Sequence, residues 1–165
     1  MPKTIVGIMG PGDGATAIEM ETAYALGQQI AHQGWVVLTG GRNVGVMDAA
    51  SRGAKSAGGL TIGILPTANA SQQSSAIDIA ILSDLGNARN NLNVLSSHVV
   101  VACGLGVGTT SEIALAIKAH RPVVMLQSSA NSYRFFQRLT SQTIGWATTV
   151  DQAVEQIRAR LYEPS

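Results

Sequence analysis

The chain has 165 residues, 45% of them hydrophobic and 13% charged, with a formal net charge of +1. That length suits one domain with its own core, the charged share is about half the usual ~25%, and the scattered Lys and Arg do not form the basic stripe of a nucleic-acid groove. Cys103, as a single cysteine, excludes an internal disulfide and a cysteine-rich metal site, and no apolar run approaches the roughly 18 residues that a membrane span needs.

These totals predict one cytoplasmic domain over residues 1–165, with neither nucleic acid nor membrane as a partner, and a neutral surface that favours self-association. Thr4 to Met9 reads as a short buried strand. It runs into Gly10-Pro11-Gly12-Asp13-Gly14, and Thr16 followed by Glu19 is a capping box at the start of a helix. Met20, Ala23, Leu26, Gly27, Ile30 and Ala31 give that helix one small apolar face. Gly34 closes it, and Trp35 to Thr39 is the next strand.

Gly40-Gly41-Arg42-Asn43-Val44-Gly45 forms a second strand-to-helix loop, followed by a helix from Val46 to Ala57 and a strand from Leu60 to Leu65. A βαβαβ unit winds right-handed into a parallel sheet, so its loops gather on one edge. Thr67 to Ser75 is polar and aperiodic, either a surface loop or a mobile lid over that edge. Ile77 to Leu82 is a further strand. Gly86 to Asn91 then opens a helix carrying Leu92 and Leu95.

Val99 to Ala102 is a β-branched run without alternation, as expected of a strand buried on both faces. It empties into Cys103-Gly104-Leu105-Gly106-Val107-Gly108-Thr109-Thr110-Ser111-Glu112 before a helical pattern from Ile113 to Ala119. Thr109 and Glu112 have capping-box spacing. Pro122 to Leu126 is another strand, Tyr133 to Leu139 mixes aromatic and basic residues, and Thr143 to Ala147 is a last strand. Thr149 to Gln152 is again a capping box, and Val150, Val154, Ile157 and Leu161 stripe the final helix. The pattern as a whole predicts a Rossmann-like, doubly wound α/β fold with a mainly parallel sheet flanked by helices.

Three glycine loops after parallel strands would meet at one rim, where backbone N–H groups at helix starts suit a phosphate, although glycines there also simply make turns. The glycine spacing does not fit the dinucleotide fingerprint, and no Gly-Lys-Thr or Gly-Lys-Ser is present for a P-loop. Arg42 and Arg89 fall beside that rim. Each is either an oxyanion contact or a solvated arginine, with Asn87, Asn90 and Asn91 next to Arg89. Glu112 is either a general base or a capping residue. His32, His98 and His120 lack ligand spacing, and no histidine is placed to activate Cys103.

Gly40 to Met47, Ala54 to Pro66, Asn87-Ala88-Arg89-Asn90 and Gly106 to Glu112 together resemble the Rossmann-like family once labelled lysine decarboxylase-like. That family includes the cytokinin-activating phosphoribohydrolases, which split nucleoside 5′-monophosphates, and the molybdenum cofactor carriers. The hydrolase signature Pro-Gly-Gly-x-Gly-Thr-x-x-Glu keeps its glutamate as Glu112 and its upstream arginine as Arg89. Gly104 and Leu105 replace its proline and first glycine, and Asn90 its lysine, so the chain looks more like the carrier branch.

The resemblance implies a cofactor carrier without catalysis, taking molybdopterin-bound molybdenum or another phosphorylated small molecule as cargo. It implies that Gly106, Gly108, Thr109 and Thr110 hold a phosphate, with Gly104 and Val107 in the same loop. Gly10, Pro11, Gly12, Gly40 and Gly41 would line the floor, with Arg42, Arg89 and Asn90 toward the anionic end. It further implies a homodimer or homotetramer that meets molybdoenzymes or cofactor-synthesis proteins. The alternatives are a nucleoside monophosphate phosphoribohydrolase using Arg89 and Glu112, and a nucleotide-sensing protein.

Overall fold

Seven strands form one sheet in which every pairing is parallel, in the order β4-β3-β2-β1-β5-β6-β7. The strands are β1 (Ile5–Met9), β2 (Val36–Thr39), β3 (Thr61–Leu65), β4 (Ile79–Leu82), β5 (Val99–Cys103), β6 (Val123–Leu126) and β7 (Gly145–Ala147). The helices are α1 (Ala17–His32), α2 (Gly45–Ser56), α3 (Arg89–Leu95), α4 (Val107–Lys118), α5 (Ala130–Gln137) and α6 (Val150–Tyr162), with a 3-10 turn over Gly86–Ala88. This computed structural model describes residues 2–162.

The period of two in the central strands sorts the core into two layers. Val99, Val101 and Cys103 face one side, with Leu26 and Ile30 of α1, Ala50 of α2 and Ile157 of α6. Val100 and Ala102 face the other, with Val94 of α3, Ile113 of α4 and Phe136 of α5. Helices on both faces explain why β5 reads as an unbroken apolar run: neither of its faces meets water.

Two contacts set the spacing of α1 and α2. A Cβ on Gly27 would lie 2.1 Å from the Ala50 carbonyl oxygen, and one on Gly53 would lie 2.0 Å from that of Tyr24. The two helix backbones therefore touch.

Of the two alternatives for Thr67 to Ser75, the surface loop is the one observed: the Ser74 N–H donates to the Gly41 carbonyl at 2.9 Å and the Asn43 N–H to that of Gln72 at 2.8 Å, while Arg42 and Gln73 form an antiparallel bridge. The buried face of α3 is Arg89, Asn90, Asn93 and Val94, whereas the two leucines it carries, Leu92 and Leu95, are 36% and 45% exposed. The Thr109–Glu112 capping box is absent. Helix α4 starts earlier, with extended Gly106 as its N-cap, which places Thr109 and Glu112 inside the helix.

The box at Thr16 and Glu19 is present in both directions. Thr149 caps Gln152, but the Gln152 side chain reaches back to Thr148 instead.

Candidate functional site

From β1 the chain steps outward through β2, β3 and β4, then returns to the other side of β1 with β5. Between β1 and β5 the loops leave in opposite directions and open a crevice beyond the carboxyl ends of the strands. A cavity of about 590 Å³ lies at this end, within the roughly 300–1,000 Å³ of small-molecule sites.

Of the residues expected there, Gly10, Pro11, Gly12, Gly40, Arg42, Arg89, Asn90, Gly106, Val107, Gly108 and Thr109 line the cavity. Gly41, Gly104 and Thr110 are not among its lining residues. Gly41 backs onto Gly63 of β3, and Thr110 faces a separate depression with Phe135. Gly104 has φ +77°, and a Cβ on it would stand 2.3 Å from the Glu19 carboxylate, so it shapes the loop from behind.

Asn87, Leu105, Met47 and Glu19 also line the cavity. Glu19 was legible in the sequence only as a capping residue. Met47 follows the glycine loop directly and sits where the first turn of α2 meets the crevice.

The N-terminus of α4 forms one wall. Gly106 offers no side-chain cap, so the first N–H groups of this 12-residue helix have no side-chain acceptor, and the positive end of the helix dipole lies there. Thr109 is 2% exposed, and its Oγ1 has no hydrogen-bond partner. A buried hydroxyl of this kind is rare unless a ligand or water completes it.

Arg89 is 8% exposed and held from three sides. Its Nε donates to the Ile64 carbonyl at 2.9 Å, an Nη to that of Gly40 at 3.4 Å, and the other Nη to Asn90 Oδ1. Burial lowers its pKa, nearby Arg42 lowers it further, and Glu112 works against both. The guanidinium remains charged, since arginine does not lose its proton in proteins. Asn90 passes the connection on, donating to Ser111 Oγ at 2.9 Å, which donates to the Gly108 carbonyl at 2.6 Å. One hydrogen-bonded chain thus ties Arg89 to the first turn of α4.

Arg42 is more open. Its Nε donates to Gln72 Oε1 at 3.2 Å, and an Nη lies 3.8 Å from the Asp13 carboxylate. Glu112 accepts from Asn93 Nδ2 at 2.9 Å, and burial pushes its carboxyl up to about 7, against the pull of Asn93 and Arg89. Cys103 is a core residue behind the site, and burial, then Glu19, pushes its thiol up to about 12. A thiol in that state is a poor nucleophile. Among the described residues, no three of His, Cys, Asp or Glu stand together as a metal site, and no helix is long and apolar enough to cross a membrane.

The arrangement offers an anion a helix terminus, a free hydroxyl and two arginines, with a floor that is largely main chain. Comparison with known proteins agrees in shape. The profile of the SLOG cluster4 family matches residues 3–154. An uncharacterized protein from Archaeoglobus fulgidus is 42% identical over 125 residues, covering 74% of this chain and 79% of that one. The molybdenum cofactor binding protein from the phototrophic bacterium Rippkaea orientalis is 53% identical with a TM-score of 0.95, over 98% of this chain and 99% of that one. The molybdenum cofactor carrier protein from Chlamydomonas reinhardtii gives 45% and 0.93, over 98% and 100%.

Proposed function

This chain belongs to the SLOG cluster4 family, and on that premise we propose that it binds molybdenum cofactor as cargo and carries it without chemical change. Near-complete likeness to two proteins named for that cofactor carries the reading. The uncapped α4 terminus, with the unpartnered Thr109 hydroxyl beside it, supplies the local fit.

In this proposal the N–H groups of Val107, Gly108 and Thr109, with the Thr109 hydroxyl, take the terminal phosphate. Bare backbone at Gly10, Gly12 and Gly40 lets the flat part of the cargo lie close. Arg42, Arg89 and Asn90 face the anionic molybdenum end. Gly41, Gly104 and Thr110 act behind the wall. Enclosure excludes water from an oxidation-prone cargo, which is a storage role. The proposal extends to a soluble homodimer or homotetramer in the cytoplasm, which hands its cargo to molybdoenzymes or cofactor-synthesis proteins.

Anaerobic titration with molybdenum cofactor, AMP and molybdate, together with an assay for released adenine, tests this reading. Tight cofactor binding without adenine release is expected. Adenine release from AMP that is lost in Glu112→Ala would instead make the protein a phosphoribohydrolase.

A further inference from the structure

A cavity meant for an anion would be expected to carry surplus positive charge, and this one does not. Its walls hold two guanidinium groups, Arg42 and Arg89, and two carboxylates, Glu19 and Glu112. Asp13 adds a third carboxylate 3.8 Å from Arg42. With every carboxylate ionised, an arriving phosphate would meet more negative than positive groups, and protonation of one carboxylate lowers that repulsion.

Glu112 is the one placed for this. It lies on α4 three residues beyond Thr109 and is 6% exposed. Asn93 Nδ2 is its one hydrogen-bond donor, at 2.9 Å, among the described residues. Arg89 acts on it only through space, because the arginine's bonds run to Ile64, Gly40 and Asn90. So Glu112 is a nearly buried carboxyl without an ion-pair partner, the environment that disfavours its charged form.

The charged and titratable groups around the cavity can be named element by element. Helix α3 supplies Arg89, the loop after β2 supplies Arg42, the loop after β1 supplies Asp13 and α1 supplies Glu19, while behind the wall the end of β5 holds Cys103 as a neutral thiol. Glu19 is committed to the capping box with Thr16. Burial, against Asn93 and Arg89, already pushes the Glu112 carboxyl up to about 7 before any anion arrives.

We propose that Glu112 holds the cargo in its protonated form: an anion seated at the α4 terminus draws onto Glu112 whatever proton it lacks, up to one per site, from solvent, and the neutral carboxyl donates a hydrogen bond into the cavity. The proposal rests on reading the site as an anion cradle. Capture is then coupled to proton uptake, and loss of that proton loosens the cargo.

Two measurements decide it. The first is the affinity for molybdenum cofactor across neutral pH in the parent protein and in Glu112→Gln. The phosphate of the cofactor titrates in both proteins, so only the difference between the profiles reports on Glu112. The parent should lose up to about tenfold in affinity per pH unit on the alkaline side relative to Glu112→Gln. Coincident profiles would overturn the proposal.

The second measurement needs no variant. Inorganic sulfate, whose charge is constant in this range, is added to the unbuffered parent protein near neutral pH while proton uptake is followed. Infrared difference spectra record a carboxylate becoming a carboxylic acid. Sulfate binding with proton uptake and that spectral change is expected. Binding of sulfate or cofactor without either overturns the proposal alone, whereas absence of binding by both overturns the proposed function as well.

Discussion

The Nε of Arg89 donates to the carbonyl oxygen of Ile64 at 2.9 Å, so a cavity arginine is also the clamp between α3 and the end of β3. Arg89→Lys keeps the charge but loses the fork that serves three acceptors. A loss of about 2–3 kcal/mol in unfolding free energy is expected, since hydrogen bonds from charged groups each contribute roughly 1.5–3. Denaturant unfolding gives that number, and cofactor titration of the folded variant gives the separate loss of binding. Unchanged stability would show that the clamp contributes little.

Thr109→Val exchanges an unpartnered buried hydroxyl for a methyl group of nearly the same shape. The ligand-free protein should be more stable by about 1 kcal/mol, because the desolvated hydroxyl gains nothing there. Cofactor affinity should fall at least about tenfold, as expected for a lost hydrogen bond to an anion. Opposite signs in the thermal shift and the titration would identify the hydroxyl as a ligand contact.

A Cβ on Gly108 would meet nothing within 4 Å in the protein itself. Gly108→Ala should therefore leave stability unchanged or raise it by up to about 1 kcal/mol, the gain of alanine over glycine in a helix. If the terminal phosphate lies against this turn, the same change should weaken cofactor binding at least about tenfold. Equal affinity in parent and variant would move the phosphate elsewhere.

Glu112 has an ordinary value of 4.5 and is pushed up to about 7 by burial. Between those values the native chain holds more protons than the unfolded one, so stability falls as pH rises from about 4.5 to about 7 and levels off above. Glu112→Gln should flatten that slope and stabilise the ligand-free protein on the alkaline side. Chemical denaturation at several pH values measures it. Parallel curves for parent and variant would mean that the carboxyl is charged in the native state.

The layered fold was legible because strand and helix periods carry it: the β-branched run Val99 to Ala102 reads as a doubly covered strand, and Gly34 marked the end of α1. The three glycine loops were legible as a convergent edge for the same topological reason. Which face of α3 is buried was not. Leu92 and Leu95 follow helical spacing, but the crevice draws Arg89, Asn90 and Asn93 inward, and a site overrides apolar patterning there. Thr109 and Glu112 failed as a capping box because extended Gly106 could start the helix three residues earlier. The tie between Ser74 and Gly41 is made by backbone atoms, which no side-chain pattern reports.

The Gly27 and Gly53 contacts lie between α1 and α2, away from the cavity, yet each of these helices follows directly from a loop that lines it. Because the contact is carbonyl against backbone, no rotamer change can absorb an added methyl group. The distance between the first two glycine loops is thus set by the packing of two helix backbones. A lineage that took up a larger or smaller cargo would find the gauge of the cavity written at those two positions.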